Sequence, residues 1–195
     1  MGRPRQEDLD AAILGAAAAI LERENYAAVS IAAVAAQAGT TRAAVYRRHA
    51  SVAALVTAVF RENFGTDPGV DTGMLGTDLH AIQEHRMGLF NHPLVVRGLP
   101  GLLDELSLDP GTAGEFSATF LGPRRAATTR ALERALARGE ITGPVDAEWI
   151  SDLLTGPLLM RATLPGPGGI DGALVDKTVK AALRELLPAG PRSVS

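Results

Sequence analysis

From Leu9 onward apolar side chains return every three or four residues along most of the chain, and this period predicts helices throughout, with no convincing strand. Leu9, Ile13, Ala16, Ala17, Ile20 and Leu21 make one stripe of a first helix that ends near Asn25. Ser30 is placed to cap a short helix with Ile31, Val34 and Ala38 inward, and Gly39 stands where that helix stops. Thr40 and Thr41 can cap a second short helix through about His49. Ser51 can cap a third carrying Leu55, Val56, Val59 and Phe60. The stretch GTDPGVDTG, residues 65–73, has turn residues at nearly every position and marks a boundary between domains at 1–64 and 74–190. Longer helices are expected beyond it at roughly 77–91, 94–107, 112–139, 146–164 and 171–187. Pro123 should kink or restart the third of these, because proline removes a backbone donor and clashes with the preceding turn. PGPGG at 165–169 separates the last two, and PAGPRSVS at 188–195 reads as a tail.

Composition narrows the class. With 46% hydrophobic and 21% charged residues in 195, the chain can bury one large core or two smaller ones. No apolar run is long enough to span a bilayer, and MGRPRQEDLD is charged where a signal peptide would turn apolar, so a cytoplasmic protein is expected. Absence of cysteine excludes disulfides, thiolate metal sites and a cysteine nucleophile. A net charge of −3 means that any nucleic-acid role must rest on where the charges lie. Residues 1–64 hold seven Arg against six Asp/Glu, and five of those arginines fall in two places: Arg3 and Arg5, then Arg42, Arg47 and Arg48.

Ala35, Gly39 and Val45 have the spacing of a helix-turn-helix. A small residue sits where two helices nearly touch, glycine permits a positive φ in the turn, and a branched side chain locks the second helix onto the first. If Val45 faces inward, the helical period turns Arg42, Ala43, Tyr46 and Arg47 outward together. Such a helix fits the major groove, where arginine bonds guanine O6 and N7 and Tyr46 reaches a phosphate or a thymine methyl. Free N–H groups around Thr41 favour a phosphate. The competing reading is a merely solvated charged face; the framework spacing and the caps favour DNA.

At these residues the chain resembles the tetracycline-repressor (TetR) family of bacterial transcriptional regulators. The resemblance covers about residues 9–60, including VSIAAVAAQAGTTRAAVYRRHASVAALV. It implies base contacts from Arg42, Ala43 and Arg47, and phosphate contacts from Thr41, Tyr46 and Arg48, with Thr40 beside them. Arg3 and Arg5 are candidates for a flexible DNA-reading arm or for a tail without contacts. Two departures stand out: His49 and Ala50 where many relatives carry an aromatic residue, and Val52 where many carry a phosphate-binding lysine. The expected fold is therefore all-α, an N-terminal three-helix helix-turn-helix DNA-binding head followed by a C-terminal helical ligand-binding and dimerisation domain.

In the second half the resemblance rests on stretches such as RRAATTRALERALARGEI and DAEWISDLLTGPLLMRATL. It implies a homodimer formed by the last two helices and a small-molecule pocket. The residues agree in part. Trp149, Ile150, Leu153, Leu154 and Leu158 form one apolar stripe, and Leu174, Val175, Val179, Ala182, Leu183 and Leu186 form another; they make either a dimer seam or ordinary protomer core. Met87, Phe90, Phe116, Phe120, Leu121 and Met160 are candidate pocket residues, with Arg86, Glu84 or His80 able to orient a polar group. An apolar, uncharged or weakly anionic effector fits that set best. His80, Glu84 and His85 could begin a metal site, but with no second ligand pair they read as a solvated helix face, and no metal or cofactor is expected. No catalytic motif is present, and LPGPGG follows no strand, so the reading is a regulator and not an enzyme. It is expected to bind a double-stranded DNA operator, as a repressor released by an effector. The alternative is an architectural or protein-interaction DNA-binding dimer with no ligand; an enzyme on a helical bundle would need convergent polar groups.

Overall fold

The computed structural model describes residues 3–164, 166 and 168–186, with side chains from residue 7 onward. The expected tail at 188–195 lies outside them. Among the described residues there is no strand. Ten α-helices follow one another: α1 (Arg3–Arg23), α2 (Ile31–Gln37), α3 (Arg42–Tyr46), α4 (Val52–Phe64), α5 (Leu75–Asn91), α6 (Pro93–Leu108), α7 (Pro110–Phe116), α8 (Gly122–Ala137), α9 (Ala147–Thr163) and α10 (Gly172–Leu186). A 3₁₀ turn, Tyr26–Ala28, follows α1, and a π-helical turn, Ser117–Leu121, joins α7 to α8. That π turn lies immediately before Pro123, whose missing N–H would have bonded the carbonyl of Thr119, so the expected restart is a widened turn and not a break.

Packing divides the chain into two compact units, one reaching Thr66 and adding His92–Leu121, the other formed by Asp67–Asn91 and the residues from Gly122 onward. This division differs from a linear one at 64 and 74, because α6 and α7 join the first unit. In that unit α1 packs against α2, α4 and α6. Leu55, Val56, Val59 and Phe60 of α4 are fully buried. The Phe60 ring lies 5.8 Å from that of Phe120, which stacks on Phe116 at 5.2 Å. Two glycines let α6 come close. A Cβ on Gly98 would stand 2.8 Å from Leu21, and one on Gly101 would stand 2.6 Å from Tyr26 side-chain carbons.

In the second unit α5 is the central element, packed against α8, α9 and α10. Its core joins Leu75, Leu79 and Ile82 of α5 to Ala127, Ala131 and Leu132 of α8, Ile150 and Leu154 of α9, and Val175 and Val179 of α10. Gln83 and Arg86 are held inside it by hydrogen bonds. Gln83 Nε2 donates to the Leu154 carbonyl at 2.9 Å and to Thr178 Oγ1 at 2.7 Å. Arg86 donates from Nε to Asp67 Oδ2 at 2.7 Å and from Nη2 to the Arg124 carbonyl and Thr128 Oγ1, both at 3.0 Å. An unpaired charge at such a depth would cost several kcal/mol, so the pairing is a condition for keeping Arg86 inside.

Candidate nucleic-acid interface

The interface is built from three consecutive caps. Ser30 Oγ accepts from Ala33 N at the start of α2, Thr41 Oγ1 accepts from Ala44 N at the start of α3, and Ser51 Oγ accepts from Ala54 N at the start of α4. Each satisfies one N–H of a helical first turn, and together they fix where three short helices begin. Between α2 and α3, Gly39 has φ 65°, and Thr40 N–H returns to the Ala35 carbonyl at 2.9 Å. That positive φ is the conformation for which glycine was expected there.

Ala35, Ala44 and Val45 are buried, Val45 completely. Burying a valine is worth about 1.5–3 kcal/mol, enough to fix the rotation of a helix with only five regular residues. The opposite side of α3 presents Thr41, Arg42, Ala43, Tyr46 and Arg47, all exposed, with Thr40 half-buried beside them. Tyr46 keeps 56% of its surface accessible although it adjoins the fully buried Val45. The residues expected to face DNA are thus brought together on one free surface. Positions 3 and 5 belong to α1 and not to an arm ahead of it; the side chains of Arg3 and Arg5 lie outside the described residues.

Arg48 behaves differently. Its Nε donates to the Asp10 carboxylate on α1, and its Nη1 donates to the Ala44 carbonyl at 3.1 Å. The guanidinium is half-buried and committed within the protein, whereas Arg42 and Arg47 are exposed. Asp10 was not legible as a participant, because it lies 38 residues from Arg48 and helical periodicity says nothing about that distance. Next to Arg48, burial pushes the His49 imidazole below its ordinary value; Arg61 and Arg48 push the same way against Asp10 and Glu115.

The other expected sites are rearranged. Phe116, Phe120 and Leu121 belong to the first unit, where both phenylalanines are buried in the aromatic cluster under α4. Met87, Phe90 and Met160 belong to the second. There Phe90 is buried, Met87 packs partly buried against the core, and Met160 is exposed. A cleft of about 300 Å³ opens in the second unit at the start of α9 and the end of α10, and none of those six residues lines it. Arg86 is enclosed by its own partners, so it is not available to orient a ligand. His80 pairs with Asp176 at 2.9 Å and Glu84 at 3.7 Å; among the described residues no three His, Asp or Glu side chains could hold a metal ion.

The expected dimer stripes are corrected in part. Ile150, Leu154, Val175 and Val179 are closed inside the core of their own unit, because α9 and α10 turn those faces toward α5, and Leu158 is fully buried as well, so none of the five is presented to a partner. Trp149 is exposed, while Leu153 and Leu183 are half-buried.

Residues 13–59 match the model for bacterial regulatory proteins of the tetR family, and residues 70–182 match that for the tetracyclin repressor-like C-terminal domain. The HTH-type transcriptional regulator YdeS of Bacillus subtilis is 30% identical over 92% of this chain and 91% of its own length. A DNA-binding transcriptional repressor TetR of Mycobacteroides abscessus is 31% identical over 96% of this chain and 98% of its own. Among solved structures, the TetR family transcription regulator SCO0332 matches with a TM-score of 0.72 and 25% identity, over 93% of this chain and all of that one. No helix of the described residues is long and apolar enough to cross a membrane. The capped α2–α3 pair and the helical second unit are the two halves of a transcriptional regulator with a DNA-binding helix-turn-helix, and the chain belongs to the TetR family.

Proposed function

We propose that this regulator acts as a repressor in the cytoplasm, binding a palindromic operator as a homodimer and leaving it when a small molecule occupies its second unit. The observation that carries the DNA-facing assignment is the exposed row Arg42, Ala43, Tyr46 and Arg47 opposite the fully buried Val45. Arg42 and Arg47 read base edges from the major groove, Ala43 packs against them, and Tyr46 with the free N–H groups behind Thr41 holds phosphate. The Mycobacteroides abscessus relative is named as a repressor, which supports blocking of transcription as the mode of action. Release is a population shift, in which ligand and operator favour different arrangements of the dimer.

A second reading, a DNA-binding dimer with no ligand, is favoured by the Leu, Ile, Val and Ala core of the second unit and the closed pairing of Arg86. Recovery of genomic fragments bound by the protein tests the main reading. A palindrome with half-sites about one helical turn apart is expected, and Arg47→Ala should lose about 1–3 kcal/mol of discrimination at one base pair per half-site. Unchanged selectivity in that variant would remove the recognition-helix assignment. Operator occupancy that no small molecule from the host's extract reduces would leave the second reading in place.

A further inference from the structure

We propose that the cleft at the start of α9 and the end of α10 binds a small organic cation, held by the Trp149 indole and the Asp146 and Glu185 carboxylates. The site lies wholly within the second unit and is separate from the apolar pocket expected from the sequence. Its volume of about 300 Å³ is at the lower end of the range for ligand cavities, about 300–1,000 Å³, and suits a compact head group.

Three properties of the lining point to the ligand's chemistry. Trp149 borders the cleft with 48% of its surface accessible, whereas its neighbour Ile150 is buried. An indole is the best aromatic partner for a cation, and the attraction grows as the site is shielded from water. Among the described residues the charged ones of the lining are Asp146 and Glu185, so its formal charge is negative and no lysine or arginine is part of it. Pro144, Val145 and Leu186 supply apolar wall, which suits methyl or methylene groups around a charged nitrogen better than a hydrated metal ion. Asp146 is also held in place: its Oδ1 accepts the backbone N–H of Trp149 at 3.0 Å as the cap of α9, so the carboxylate is fixed at the start of the helix that carries the indole before any ligand arrives. An anionic ligand would meet two like charges there.

The test uses the full chain and a matched pair of probes, choline and its uncharged carbon isostere 3,3-dimethyl-1-butanol. Trp149 is the single tryptophan of the chain, so intrinsic fluorescence reports on this site directly. Choline should give a saturable change, with the isostere at least about tenfold weaker. The double variant Asp146→Asn, Glu185→Gln should bring choline down to the level of the isostere, because asparagine still caps α9 and both positions are exposed. Trp149→Leu, followed by calorimetry, should lose choline binding while far-UV circular dichroism is unchanged. A linear, non-saturable response to choline, equal affinity for the two probes, or undiminished choline binding in the double variant would each overturn the assignment.

Discussion

At the scale of single residues, the surface proposed to face DNA contains an internal competitor for one of its own cations. Asp10 holds Arg48, which the family resemblance would place on phosphate. Releasing that guanidinium should add about one counterion to those displaced by DNA. Asp10→Asn is therefore expected to steepen the slope of log affinity against log salt by about one unit and to strengthen binding to any sequence at low salt; a second change, Arg48→Ala, should cancel both. Titrations at several salt concentrations read this directly, and an unchanged slope in Asp10→Asn would mean that the pair is not in competition with phosphate. His49 gives a prediction of a different kind. Its imidazole is held below the ordinary value near 6.5, with burial the largest cause, so the unfolded chain binds that proton more readily than the folded one. The sign follows: stability from this group is complete above about pH 6.5 and falls as the pH drops below it. Urea unfolding from about pH 8 to about pH 5 should show a steeper loss for the wild type than for His49→Gln.

Among the elements, what the chain revealed in advance was whatever is encoded locally. Ser30, Thr41 and Ser51 were legible as caps because capping is settled within four residues, and Gly39 because a turn of that kind needs its positive φ. Pro123 was legible as an interruption for the same reason, although its form as a π turn was not. Relations across the fold were hidden. Apolar periodicity says that Phe116 and Phe120 face inward but not into which unit, so residues read as pocket are aromatic packing beneath α4. It could not give the two close approaches of α6 either, since Gly98 and Gly101 need glycine only because Leu21 and Tyr26 are opposite them. Gly101→Ala should accordingly cost about 1–3 kcal/mol through overpacking against Tyr26, despite the higher helix propensity of alanine. Tyr26→Ala in the same chain should relieve much of that added cost, and a thermodynamic cycle from denaturant unfolding measures the coupling. Additive effects of the two changes would show that the backbone moves apart without strain.

For the whole molecule, the question is what two copies would share. Most of the side chains expected at the seam are buried within the protomer, and what α9 leaves outside beyond the Trp149 cleft is the row Leu153, Gly156 and Met160, spaced by three and four residues and so on one face of the helix. Met160 keeps 63% of its surface accessible, Leu164 beyond it 58%, and nothing lies within 4 Å of where a Gly156 side chain would begin. A helix with a flat spot beside large exposed apolar residues is suited to close approach of a second helix, and a two-fold contact would set each row against its copy. Deleting α10 cannot test this, because Val175 and Val179 belong to the protomer's own core and the second unit would lose its packing. Met160→Asp can, since an exposed aspartate costs the isolated protomer little but would be buried against its copy in a dimer. The variant should keep its thermal stability at low concentration yet weaken self-association by at least about 2 kcal/mol, seen in sedimentation as a shift from dimer to monomer at a concentration where the wild type stays paired. Operator affinity should fall with it, because a half-site is then held by one head alone. A Met160→Asp protein that sediments as a dimer across the same range would place the seam on another face.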